Sequence, residues 1–171
     1  SQPGYKCCSG RGFVMALDPS DGRILWKYDV GPEPVKFDPP LKMQSDWGAR
    51  TFHYGPSTSS VWSTPSYDAT SQTIFFGTDI HNSPRKPTDD DPRNYTRHSS
   101  AVIAVDARTG DEKWVTQTTK GDVWNHTLPA YDPSTGYKDQ SIGDTPKIFS
   151  VQLDARETLV VGTGSKNGGF Y

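Results

Sequence analysis

One eleven-residue pattern occurs twice. Ala16-Leu17-Asp18-Pro19-Ser20-Asp21-Gly22-Arg23-Ile24-Leu25-Trp26 and Ala104-Val105-Asp106-Ala107-Arg108-Thr109-Gly110-Asp111-Glu112-Lys113-Trp114 share A-x-D-x-x-x-G-x-x-x-W. Each copy follows an alternating apolar run, turns through Asp and Gly, and leaves on a stretch that carries the Trp. Asp bonds its own backbone and Gly accepts positive φ, so each copy predicts a β-hairpin. The indole is too large to hide within one hairpin and its N–H needs a partner, so it reads as a plug that docks on the neighbouring repeat. Self-similar units of four short strands predict an all-β chain built of propeller blades, each of four antiparallel strands. The competing reading is two unrelated hairpins with common turn chemistry.

The rest of the chain fits an all-β, loop-rich protein. Its 16 Gly and 14 Pro in 171 residues leave few uninterrupted windows for helices. Only 32% of residues are hydrophobic, but 5 Trp, 8 Tyr and 7 Phe are present, so burial must come mainly from aromatic rings. A net charge of -2 gives no steering towards nucleic acid or an anionic membrane, and no apolar run approaches spanning length. No signal peptide is visible at Ser1, as a mature or trimmed amino terminus would also look.

Strand and loop signals divide the chain into residues 1–30, the end of one blade; 31–60, a long connecting loop; 61–120, a complete blade with an insertion at 79–99; 121–146, a further loop; and 147–171, the start of the next blade. The strands expected are Phe13 to Asp18, Arg23 to Val30, Val61 to Tyr67, Thr73 to Gly77, Ser100 to Asp106, Glu112 to Thr118, Lys147 to Leu153, Thr158 to Gly162 and Gly169 onward. Roughly two blades cannot close a ring, so further blades or a partner chain are expected to complete it.

Long loops are where chemistry is sought. Three constellations stand out: Cys7-Cys8, Gly121-Asp122-Val123-Trp124-Asn125-His126-Thr127, and the glycine-rich Gly162-Thr163-Gly164-Ser165-Lys166-Asn167-Gly168-Gly169. Adjacent cysteines close a disulfide ring only with a distorted peptide; a strained bridge and two separately used thiols both stay open. Asp89-Asp90-Asp91 lacks the alternate spacing of a hand-type calcium loop and reads as a solvated insertion. Asn94-Tyr95-Thr96 and Asn125-His126-Thr127 are N-x-T sequons that matter only on a eukaryotic secretory route. A glycan on Asn125 and a place for Asn125 in a cofactor pocket exclude each other.

Taken in order, C-C, V-W-S-x-P (Val61 to Pro65), G-D-x-W-N (Gly121 to Asn125) and K-N-G (Lys166 to Gly168) resemble the quinoprotein dehydrogenase propellers, which hold pyrroloquinoline quinone (PQQ) over an eight-bladed ring. The branch they resemble is that of the polyvinyl-alcohol-dehydrogenase-like proteins, and the repeats resemble the family's tryptophan-docking motif. The resemblance implies that Trp62 stacks on the quinone plane, that Lys166 lies beside its ortho-quinone oxygens with Asn167 next to it, and that Cys7-Cys8 forms a ring on the opposite face. It also implies an alcohol substrate, a separate electron acceptor, a periplasmic or extracellular setting and a Ca²⁺ ion, to which Asn125 would lend its carbonyl oxygen.

The chain departs from the family at several of these positions. Cys7-Cys8 lies closer to its strand than in the family's alcohol dehydrogenases. The family's proton acceptor is an Asp at the position of Asn125, and an amide cannot take a proton from an alcohol near neutral pH. Asp122 and His126 are the groups at hand to replace it. The family's calcium-binding amide in G-T-x-N finds Gly77-Thr78-Asp79-Ile80 here, with Asn82 in reach only after a shift. No C-x-x-C-H haem-attachment sequence is present. Three function classes follow: a PQQ-dependent alcohol oxidoreductase, a scaffold or interaction propeller that has lost the redox site, and an extracellular structural glycoprotein.

Overall fold

The computed structural model describes residues 9–43, 49–82, 97–123 and 139–171. Among them every regular element is a strand, and every pairing between strands is antiparallel.

Both repeat copies fold as hairpins. In the first, β1 (Phe13–Leu17) pairs with β2 (Ile24–Asp29); in the second, β7 (Ala101–Asp106) pairs with β8 (Glu112–Gln117). The correspondence extends to detail. The register shifts at Ala16/Leu17 and at Ala104/Val105. Gly22 N donates to Asp18 O at 2.8 Å, as Gly110 N does to Asp106 O at 2.8 Å. The Asp carboxylates accept from Ser20 N at 3.0 Å and Arg108 N at 2.9 Å. These carboxylate-to-backbone bonds are why Asp opens each turn.

The second copy closes a four-stranded sheet in the order β5 (Ser66–Asp68), β6 (Thr73–Gly77), β7, β8. Its four strands lie between Ser66 and Gln117, and the first is confined to Ser66–Asp68. β7 is buried from Ala101 to Val105, as expected of a strand covered on both faces. A further hairpin pairs β9 (Lys147–Leu153) with β10 (Arg156–Gly162). From Gly169 onward there is no strand, only an isolated bridge between Gly164 and Phe170.

Residues 31–60 are not the irregular connection that their Pro and Gly suggested. They carry β3 (Val35–Met43) and β4 (Arg50–Gly55), whose pairing is interrupted between Lys36 and Leu41. Pro39 and Pro40 cannot donate to a ladder, which accounts for the interruption. Phe37, Phe52 and Leu41 give this hairpin a small cluster of its own.

The main core lies between the first hairpin and the four-stranded sheet. Trp26, Val30, Phe76, Ala101, Ile103 and Val105 form it, with Tyr28 packed against them. Trp26 donates its indole N–H to Ala107 O at 3.0 Å, across 81 residues of sequence. Its ring lies on Gly110 (φ +77°), where a Cβ would meet Cε3 at 2.6 Å. Tyr28 stacks edge-on to Phe76 and donates its hydroxyl to Glu112 at 2.5 Å. The Trp26 ring of the first copy therefore lies on the turn of the second.

Trp114 has different surroundings. It is 40% exposed, lies against Phe75 of its own sheet at 5.7 Å between centroids, and lines a cleft of about 200 Å³ with Val161 and Tyr171.

Candidate functional site

Of the residues singled out in the sequence, Trp62, Asp122, Lys166 and Asn167 are among the described residues, and each lies along segment 139–144, which runs past the end of β6 and reaches the β9–β10 hairpin. Ile142 is fully buried, donates its N–H to Thr78 O at 3.0 Å and fills the space over Gly77, where a Cβ would collide with its side chain at 2.3 Å. That anchor fixes the neighbours of Ile142 on both sides.

On one side lies Trp62. Its ring is 57% exposed and rests by Gly143, where a Cβ would come within 3.6 Å of Cζ2. Phe170 and Ile24 are as open as Trp62, so it is the place of the ring beside Gly143, and not its exposure alone, that sets it apart. Trp62 precedes β5 on an irregular stretch held by Ser63, whose hydroxyl accepts Gly77 N at 3.3 Å.

On the other side lies the glycine-rich turn after β10. Lys166 N donates to Ser141 O at 3.1 Å, and Ser165 Oγ donates to Gln140 O at 3.0 Å. The Lys166 ammonium contacts the Asp139 carboxylate at 2.8 Å, with both side chains 43% exposed. Only one of its three N–H donors is needed there. Asn167 Oδ1 accepts Gly169 N at 2.8 Å, and its amide donates to Tyr171 OH at 2.6 Å. Local bonds thus hold the Lys166-Asn167-Gly168 turn in one shape while its side chains remain exposed.

Asp122 is buried beneath the same segment. Its carboxylate accepts Asp139 N at 3.0 Å, Gln140 N at 2.6 Å and Ser100 Oγ at 2.8 Å. Asp79, at the family's G-T-x position, is committed to Ser60 Oγ at 3.3 Å, Ile80 N at 2.8 Å and Ser141 Oγ. Sequence reasoning passed over segment 139–144 because a polar stretch with one isoleucine at the end of a long loop carries no periodic signal. Ile142, the lone large apolar residue between Tyr137 and Ile148, was the available clue.

His81 and His98 are buried imidazoles, and His98 contacts Tyr28 and Glu112 at the junction with the first hairpin. His81 is pushed down to about 3 by burial and then by the nearby charge of His98. Burial also lowers His98, against the opposing pull of Glu112, which it contacts at 2.7 Å. Among the described residues no three His, Cys, Asp or Glu side chains are grouped to hold a metal ion. Cys7, Cys8, Trp124, Asn125, His126, Thr127, the Asp89-Asp90-Asp91 run and the Asn94 sequon lie outside the described residues.

Residues 3–168 match the family described as PQQ, glucose/ethanol/alcohol dehydrogenase, β-propeller domain. The chain belongs to this quinoprotein family. It is 30% identical over 174 residues to a polyvinylalcohol dehydrogenase of Pseudomonas sp., covering 98% of this chain and 24% of that protein. It is 32% identical over 180 residues to the polyvinylalcohol dehydrogenase of Sphingopyxis sp. strain 113P3, covering 99% and 24%. The fold is similar to that of the quinohemoprotein alcohol dehydrogenase from Comamonas testosteroni, with a TM-score of 0.63 at 22% identity, covering 95% of this chain and 23% of that one. The chain therefore spans about a quarter of the length of these relatives. The quinoprotein propeller fold accounts for the successive antiparallel sheets, and no described helix is long and apolar enough to cross a membrane.

Proposed function

We propose that this chain supplies part of the PQQ-binding face of a quinoprotein dehydrogenase that oxidises an alcohol, polymeric alcohols included, outside the cytoplasm. The observation that carries the reading is the convergence of an open indole, Trp62, and an exposed ammonium, Lys166, on one anchored segment. Their chemistry suits a planar, polyanionic quinone: a flat apolar surface for the ring and a cation for its oxygens. When bound, the quinone supplies the hydride acceptor. Trp62 holds the ring plane and keeps water from that face. Lys166 offers its remaining N–H donors to oxygens that gain negative charge, with Asp139 fixing the ammonium. Asn167 stiffens the turn that presents it. In the same reading Cys7-Cys8 closes over the far face.

The described residues do not suit a calcium ion, because the Asp79 carboxylate is already taken up by Ser60, Ser141 and Ile80. Calcium would draw on residues outside the described ones, Asn125 among them. Asp122 is read as the tie that holds residues 139–140 rather than as the proton acceptor, since three donors already occupy its carboxylate. His126 is then the remaining candidate base in that loop. The engagement of Asp122, with Asn125 at the family's base position, favours a second reading: a propeller that keeps the fold and has lost turnover, as a scaffold or as an extracellular glycoprotein.

Equilibrating the purified protein with PQQ and Ca²⁺, then assaying dye reduction with short and polymeric alcohols, separates these readings. Bound quinone absorbance with alcohol-dependent dye reduction is the expected result. Bound quinone without turnover supports the second reading, and no uptake of quinone overturns the cofactor site. Intact mass before and after glycosidase treatment tests the glycoprotein form.

A further inference from the structure

Asp79 joins the two sides of the Trp62 face. Its Oδ2 accepts Ser60 Oγ at 3.3 Å, and its own N–H donates to Ser60 O at 3.0 Å, which grips the residue two before Trp62. Its Oδ1 accepts Ile80 N at 2.8 Å and Ser141 Oγ, and Ser141 is two before Gly143, the residue beside the ring. Ser141 O in turn accepts Lys166 N. The Asp79 carbonyl is held as well, by Ser100 N at 3.0 Å at the start of β7. Trp62 itself sits on an irregular stretch with its ring more than half exposed, so its own packing does not fix its attitude. A side chain without locked packing is positioned by the hydrogen bonds of the residues that carry it.

We propose that Asp79 is a positioning residue for the cofactor face, setting the attitude of the Trp62 ring and its spacing from Lys166 by clamping Ser60 to Ser141. The consequence for binding rests on the reading of Trp62 as the quinone platform; the clamp itself does not. Asp79 stands where the family's G-T-x-N pattern places no ligand, so this chain uses a carboxylate to hold the surface that the cofactor meets. A mutation that frees one arm leaves the ring to sample several orientations, and the cost of ordering it then falls on binding.

The test uses the protein labelled with 5-fluorotryptophan, with the Trp62 ¹⁹F resonance assigned by its loss in Trp62→Phe. Without any quinone, Asp79→Ala is expected to shift and broaden the Trp62 line and leave the Trp26 line in place. Ser141→Ala, which removes one arm only, is expected to move the Trp62 line less. Asp79→Asn, which keeps an acceptor oxygen for Ser141 and Ile80, is expected to restore it. In PQQ titrations Asp79→Ala is expected to weaken binding on the order of tenfold. Should Asp79→Ala fail to fold, with the Trp26 line lost, Ser141→Ala decides. A Trp62 line that stays put in variants whose Trp26 line is unmoved overturns the proposal, as does parental PQQ affinity in Asp79→Ala. If the parent protein takes up no PQQ, the cofactor reading fails, and the Trp62 line still decides whether Asp79 is the clamp.

Discussion

Trp26 and Trp114 occupy the same place in the same repeat, yet one is a core residue and the other is not. Trp26 is 9% exposed with its N–H bonded to the neighbouring sheet; Trp114 is 40% exposed, and no turn of a following sheet seats it among the described residues. The local hairpins match in register shift and in turn hydrogen bonds, so the difference arises in tertiary structure. The junctions differ in kind as well. The first, between β1–β2 and the four-stranded sheet, is an apolar core sealed by an indole. The second, between that sheet and β9–β10, includes polar ties from segment 139–144: Thr163 Oγ1 to Asp144 O at 3.1 Å, Gly164 N to Asp144 Oδ2 at 3.1 Å, and Lys166 to Asp139. The first junction holds the fold together, and the second leaves exposed the side chains that could meet a ligand.

The largest test of this contrast is truncation of the two indoles. Trp26→Ala is expected to cost about 3–5 kcal/mol, through a cavity and an orphaned carbonyl at Ala107. Trp114→Ala, on a half-open ring, is expected to cost about 1 kcal/mol. Chemical denaturation compares them, and equal losses would break the contrast.

The paired turn glycines sharpen it. Gly22 and Gly110 share positive φ, at +75° and +77°, but only Gly110 carries a ring on its Cα. Gly22→Ala should cost about 1 kcal/mol, from backbone strain alone. Gly110→Ala should cost about 2 kcal/mol or more, because the methyl group also displaces Trp26. The excess should vanish in a Trp26→Ala background.

Acidification separates the junctions by charge. His98, lowered by burial, and Glu112, held below 4.5 by bonds from Tyr28 and His98 that outweigh its burial, both sit at the first junction. Below the ordinary histidine value of 6.5 the unfolded chain binds a proton that folded His98 resists, so stability falls as pH drops from there towards the lowered folded value. The contribution of Glu112 is whole above 4.5 and is lost as pH falls through its lower folded value. Denaturation midpoints should therefore drop between pH 7 and 5; buried His81, pushed down to about 3, adds to the same loss, so His98→Gln should flatten only part of that slope. A smaller effect is expected at the second junction: Lys166→Met should leave stability within about 0.5 kcal/mol, as exposed ion pairs do, while weakening PQQ binding.

What could be read in the sequence follows from which interactions are local. Asp18, Gly22, Asp106 and Gly110 announce their turns because each acts on its own backbone. The four-stranded sheet follows from apolar runs in its strands and from the short turns at 69–72 and 107–111, although residues 78–100 separate β6 from β7. Phe37 and Phe52 were hidden by Pro39 and Pro40, which read as loop although the hairpin resumes its pairing beyond them. The surroundings of Trp114 were not legible, because its local sequence repeats that of Trp26. At the site, Trp62 and Lys166 were visible through the resemblance. The burial of Asp122 was not, since its donors, Asp139 N and Gln140 N, are backbone groups from a distant segment.

The division of labour between the two junctions is tested most directly by amide hydrogen exchange with and without PQQ. The account predicts that the quinone raises protection at Ser141, Ile142 and Lys166 and leaves Trp26, Val30 and Gly110 unchanged. Added protection at the first junction, or none at 139–144 under saturating quinone, would contradict it.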